Sequence, residues 1–151
     1  MELYAELEAL TRGLDAAGID YALCGGLALA VYGLPRATRD IDIMARRGDV
    51  DRIRQVVRGL GFIVEALPMT FSSSDRTVIR FTKFGGNGPL MVDILIVEDR
   101  PDAAWETRSR IPFESGSISV VSRHGLVSLK LLAGRPQDLA DIQRLTETDD
   151  G

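Results

Sequence analysis

Asp40-Ile41-Asp42-Ile43 alternates carboxylates with branched apolar side chains. In an extended chain successive side chains point to opposite faces, so Asp40 and Asp42 share one face while Ile41 and Ile43 turn to the other. Two carboxylates on one face repel each other unless a cation joins them. Mg²⁺ suits that role, because it takes oxygen ligands, keeps part of its water shell and bridges carboxylates to phosphates. A third carboxylate, Asp93, interrupts the apolar run Leu90-Met91-Val92-Asp93-Ile94-Leu95-Ile96-Val97. A charge in such a run is costly without a partner. A metal shared with Asp40 and Asp42 would supply one, and Asp93 could also accept the proton of an attacking hydroxyl. Upstream, Cys24-Gly25-Gly26-Leu27-Ala28-Leu29-Ala30 reads as a strand running into Gly-Gly and then a helix. That break leaves backbone N–H groups free at the helix start, where a phosphate can bind.

Each feature has a plainer reading. An isolated Asp-x-Asp is common at exposed strand ends, and Gly-Gly is a common helix-start turn. Asp93 could lie on an edge strand facing water, and Lys130 with Asp138 could form a structural ion pair. It is the combination that points to metal-assisted chemistry on a phosphate. His124, the only histidine, reads as a surface residue in the first turn of a helix and makes no metal cluster alone. Cys24 reads as a small packed hydrophobe. Arg46-Arg47 reads as a solvated pair, and Trp105 as a core or interface anchor.

The elements that must position these residues alternate between helix and strand, which predicts an α/β fold with a small mixed sheet flanked by helices. Leu3, Leu7, Leu10 and Leu14 recur at helical spacing, so residues 2–17 form an amphipathic helix with Gly18 as its C-cap. Strands are expected at 19–24, 40–45, 62–66, 77–84 and 90–97, the last two joined as a hairpin through the Gly85–Pro89 turn. Helices are expected at 27–32 and at 50–60, the latter capped by Asp49. Ser72-Ser73-Ser74-Asp75 reads as a polar loop, and two short edge strands flank Ser115-Gly116. Ser122 caps a helix to about Ala133, and Gly134 and Pro136 separate it from a last helix at 137–145.

The chain has 151 residues, 45% hydrophobic and 26% charged, which fits one globular domain over 1–151. No apolar run approaches membrane-spanning length. With one cysteine and no signal segment, a cytoplasmic location is the expectation. A net charge of −4 argues against broad nonspecific binding to nucleic acid and leaves room for a local basic groove.

Gly25-Gly26-x-Ala28-Leu29-x-x-Tyr32-Gly33-x-x-Arg36-x-Thr38-x-Asp40-Ile41-Asp42 resembles the AbiEii-type group of the nucleotidyltransferase superfamily, whose core is shared with DNA polymerase beta. Lys130-x-x-Ala133-x-Arg135-x-x-Asp138-x-x-Asp141 is similar to that group's second motif. Two positions depart from wider patterns: Gln137 replaces a basic residue, and Gly26 replaces a serine common elsewhere in the superfamily.

The resemblance implies a nucleotidyltransferase fold and transfer of NMP from an NTP to a hydroxyl, with pyrophosphate leaving. It implies two Mg²⁺ ions on Asp40, Asp42 and Asp93, and the triphosphate on Gly25 and Gly26 with Lys130 neutralising its charge. Arg36 and Arg39 would contact nucleotide or acceptor. Thr38, Asp138 and Asp141 would support the site, the two aspartates by orienting Lys130 or touching substrate. It further implies an RNA (tRNA) or protein acceptor, a toxin role with a cognate antitoxin, and a homodimer or second protein to complete the acceptor site. A small antibiotic nucleotidyltransferase and a non-catalytic nucleotide-binding relative are the alternatives.

Overall fold

The structure is a computed structural model, and it describes residues 2–35, 37–71 and 75–148. The first helix, α1 (Leu3–Ala16), buries Leu7, Leu10 and Leu14 on one face. Glu2 caps it by accepting from the Tyr4 and Ala5 amides, and Gly18 leaves it at φ 69. Then follow β1 (Ala22–Cys24), α2 (Gly25–Val31), β2 (Asp40–Arg46), a 3₁₀ turn (Arg47–Asp49), α3 (Val50–Gly59), β3 (Val64–Glu65) and β4 (Met69–Phe71). The chain continues through β5 (Arg76–Gly85), β6 (Gly88–Val97), α4 (Ala103–Glu106), β7 (Ser109–Phe113) and β8 (Gly116–Val120). It ends in α5 (Arg123–Ala133) and α6 (Pro136–Thr148).

The eight strands among the described residues form one mixed sheet in the order β3-β5-β6-β2-β1-β8-β7, with β4 also on β5. β2 runs parallel to β6 and antiparallel to β1, and β1 runs parallel to β8. The β5–β6 hairpin closes through Gly86-Asn87, with Gly88 at φ 98. Ile41 and Ile43 are fully buried and share the core with Leu10, Leu14, Leu23, Ile53, Val57 and Phe81. No helix among the described residues is long and apolar enough to cross a membrane.

The α/β class, the mixed sheet and the hairpin agree with expectation; several details differ. α2 begins at Gly25, so Gly-Gly forms its first turn and is not a separate linker. β1 keeps only three residues, because Ile19 and Tyr21 are buried outside the ladder. Asp49 precedes α3, yet its side chain makes no cap bond and pairs with Arg52 instead. β4 and α4 were not expected, being too short to establish a period. Of the polar loop at 72–75, only Asp75 lies within the described residues.

Candidate active site

The site follows from strand register. Cys24 pairs with Asp42, Asp42 with Asp93, and Asp93 with Arg80. One row thus crosses β1, β2, β6 and β5, and residues opposite one another in register point to the same face. Asp40 lies two residues before Asp42 and shares its face. Asp93 is on an interior strand, 6% exposed, which removes the edge-strand reading. Above this row opens a cleft of about 450 Å³. Its strand wall carries Asp40, Asp42, Asp93, Arg76 and Arg80, with Val78 and Leu95 between them. The facing wall is α5 and the start of α6, presenting Leu126, Leu129, Lys130, Leu132, Arg135 and Asp138. Gly25 and Gly26 line the cleft beside Asp42.

Gly25 is glycine for two reasons. Its φ is +69, and a Cβ there would lie 2.8 Å from Asp42 Cγ and overlap the carboxylate. Among the described residues no side chain caps the start of α2. Asp42 accepts no hydrogen bond among the described residues, and burial together with Asp93 and Asp40 pushes it up to about 7. Burial and the nearby Asp42 also hold the Cys24 thiol well above its ordinary value. Thr38 lines the cleft, and its Oγ1 accepts from the Asp40 amide at 3.3 Å, fixing the start of β2.

On the facing wall Lys130 is 5% exposed. Its Nζ lies 2.9 Å from Asp141 Oδ2 and 3.9 Å from Asp138 Oδ1. Gln137 donates to the other Asp141 oxygen at 3.0 Å. Arg135 binds Asp138 through Nε at 2.6 Å, Nη2 at 3.1 Å and its backbone N–H at 3.1 Å. Burial alone would raise Asp138, but these donors and Lys130 hold it below its ordinary value. The Lys130–aspartate contact is therefore a buried ion pair that also faces the cleft.

The structure brings Asp40, Asp42, Asp93, Gly25, Gly26, Thr38, Lys130 and Asp138 to one cleft, with Asp141 directly behind Lys130. Arg39 is placed elsewhere: its guanidinium donates to Asn87 O and Pro89 O in the hairpin turn and does not line the cleft. Arg36 lies outside the described residues. Two arginines in the cleft, Arg76 and Arg80, had not been anticipated, and Arg135 of the second motif had been given no role. Arg80 binds both Asp93 oxygens at 2.8 Å, Arg76 binds Asp102 at 2.6 Å, and Arg135 stands at the mouth. The signal for Arg80 was the turn: closing the hairpin through Gly86-Asn87 sets Arg80 opposite Asp93.

The Nucleotidyl transferase AbiEii toxin, Type IV TA system family matches residues 8–151. The chain belongs to this family. It is accordingly a nucleotidyltransferase. Comparison with curated proteins gives no match. Solved structures share the AbiEii-family chain's fold. A Thermotoga maritima protein assigned as a nucleotidyltransferase is 15% identical with a TM-score of 0.67, over 95% of this chain and 92% of that one. ANT(2'')-Ia, solved with adenylyl-2''-tobramycin, is 14% identical with a TM-score of 0.66, over 97% and 88%. JHP933 from Helicobacter pylori is 18% identical with a TM-score of 0.55, over 97% and 65%.

Proposed function

We propose that this nucleotidyltransferase uses Mg²⁺ to transfer NMP from an NTP to a hydroxyl of RNA, as the toxin of a toxin–antitoxin pair. The observation carrying this is the row of Asp42 and Asp93, with Asp40 beside it, on the floor of a cleft whose other wall presents Lys130 and Arg135. The donors fit a hard divalent ion: they are all carboxylate oxygens, on one face, beside a glycine that leaves room for one of them. Asp42 accepts no hydrogen bond among the described residues and is raised to about 7, because burial, Asp93 and Asp40 outweigh the nearby Lys130 and Arg80; such an ion would supply the remaining counter-charge. When bound, Mg²⁺ would orient the triphosphate and stabilise the attacking and departing oxygens.

The chain's own residues do the remainder. Asp40, Asp42 and Asp93 hold the ions. Gly25 and Gly26 bring backbone close to the triphosphate. Lys130, kept in place by Asp141, offers a donor to phosphate across the cleft. The acceptor oxygen attacks the α-phosphorus, the bond to the β-phosphate oxygen breaks, and pyrophosphate leaves with that electron pair. The hydroxyl proton passes to Asp93.

RNA is favoured because Arg76, Arg80, Lys130 and Arg135, each paired with an aspartate, balance the carboxylates and leave the cleft lining without a mainly acidic character. A polycationic acceptor such as an aminoglycoside calls for a mainly acidic lining. The family's description as toxins of type IV systems supports a toxin role and a cognate antitoxin. The test is incubation with each α-³²P-labelled NTP, Mg²⁺ and total tRNA, beside Asp40→Ala. Label in RNA that disappears in Asp40→Ala is expected. Label on protein, or only on an added aminoglycoside, would replace the RNA assignment; no transfer to any of the three would overturn the reading.

A further inference from the structure

Arg80 stands opposite Asp93 in the β5–β6 hairpin and grips it with two parallel bonds, Nε to Oδ1 and Nη2 to Oδ2, each 2.8 Å. The same Nη2 lies 3.6 Å from Asp40 Oδ2. This is the fork geometry in which arginine binds carboxylate most strongly, and phosphate in the same manner. The Arg80 side chain is 38% exposed while that of Asp93 is 9% exposed, so the arginine can swing into the cleft and the aspartate cannot. Asp42, next in the row, accepts no hydrogen bond among the described residues, and no three of the described His, Cys, Asp and Glu side chains form a ready metal cage. One carboxylate of the set is already neutralised by a cation from the chain itself.

A divalent ion at Asp93 must compete with that guanidinium for the same two oxygens. We propose that Arg80 is a placeholder cation: it withholds Asp93 in the nucleotide-free protein and releases it when an NTP arrives with its divalent ion. The triphosphate offers the displaced guanidinium an equivalent bidentate partner. Until then a divalent ion meets only Asp40 and Asp42, because both Asp93 oxygens are taken by the guanidinium. Metal occupancy at Asp93 thereby becomes conditional on bound nucleotide. This rests on the metal-dependent reading of the site.

The test is Mn²⁺ binding followed by electron paramagnetic resonance, with and without a non-hydrolysable NTP analogue. Without nucleotide, Arg80→Gln should bind Mn²⁺ at least about tenfold more tightly than wild type, equivalent to roughly 1.4 kcal/mol. Adding Asp93→Asn should erase that gain, whereas Asp93→Asn alone should leave nucleotide-free binding nearly unchanged. With the analogue, wild type should gain a second ion and Asp93→Asn should not. Arg80→Lys keeps the charge, loses the fork, and should fall between; if Arg80→Gln fails to fold by circular dichroism, Arg80→Lys and Asp93→Asn carry the test. The placeholder role is overturned if removing or shortening the fork leaves nucleotide-free affinity at the wild-type value. It is equally overturned if Asp93→Asn weakens that affinity as much as Asp40→Asn does. Failure of wild type to bind Mn²⁺ even with the analogue would remove the metal reading itself, a result distinct from either.

Discussion

At the scale of single residues, Asp42 carries the most informative charge. Its folded-state pKa is raised from 3.8 to about 7 by burial and by Asp93 and Asp40. The native state therefore binds more protons than the unfolded chain between these values, and stability falls as pH rises through that window. The contribution is complete below about 4 and gone above about 7, with a ceiling near 4 kcal/mol that water at the half-buried carboxylate reduces. Asp20, Asp138 and Glu98 are lowered and act in the opposite sense at acid pH, so the effect must be isolated by difference. Asp42→Asn should melt above wild type at pH 8 without divalent ions, and the gap should close toward pH 4. Mg²⁺ with NTP should reverse the order at pH 8; equal melting temperatures across the range would show that Asp42 is not strained by its neighbours. Gly25→Ala tests the same carboxylate from the other side. The added Cβ meets Asp42 in a backbone conformation with φ +69, so a loss of about 1–3 kcal/mol in urea unfolding is expected. Nucleotide binding should fall with it, because Asp42 must move.

At the scale of elements, the wall opposite the carboxylates depends on how α5 is started, stopped and joined to α6. Ser122 caps α5 by accepting from the Gly125 amide at 3.0 Å, and Gly134 ends it at φ 66 in the left-handed region. Ser122→Ala should cost about 1 kcal/mol in urea unfolding, as loss of an N-cap does. Lys130→Met should cost more, about 3–5 kcal/mol, because it leaves Asp138 and Asp141 buried without their shared cation. Lys130→Met with Asp141→Asn should recover much of that loss without recovering activity. Stability unchanged in Lys130→Met would mean that the two helices are held by apolar contact alone. These elements were readable because each carries a local signal: a cap residue, a helical period, a glycine stop. Asp40, Asp42 and Asp93 were readable for the same reason, since alternation and an apolar setting are properties of short segments. Arg80 was not, because an arginine on the polar face of a strand looks solvated until the hairpin register gives it Asp93. Arg39 misled for the converse reason: it neighbours Asp40 in sequence, yet alternation turns it away and the hairpin turn takes its guanidinium. β4 and α4, at three and four residues, are too short to carry a period: β4 pairs with the adjoining β5 and α4 is a single turn capped by Asp102.

At the scale of the whole molecule, the cleft lies between two separate stretches of the chain. One wall comes from β2, β5 and β6, in the first two-thirds of the chain, and the other from α5 and the start of α6. The C-terminal helices connect to the sheet through β8 and through α4 against α5, and α6 contacts chiefly α5. A nucleotide held between Asp40 and Asp42 on one side and Lys130 on the other therefore ties the two regions together. A ligand that binds only the folded state stabilises it by about 2.7 kcal/mol at 100 times its Kd. For a chain of 151 residues this corresponds to a rise in Tm of roughly 5–10 °C. Mg²⁺ and NTP together should give that rise and slow amide exchange in α5 and α6, while either alone should give much less. Asp40→Ala should lose the rise because the metal side is gone; Lys130→Met, starting from a lower Tm, should keep only part of it. A full rise confined to β2 and β6, with exchange in α5 unaltered, would place the nucleotide on the carboxylate wall alone and leave the facing cations for the acceptor.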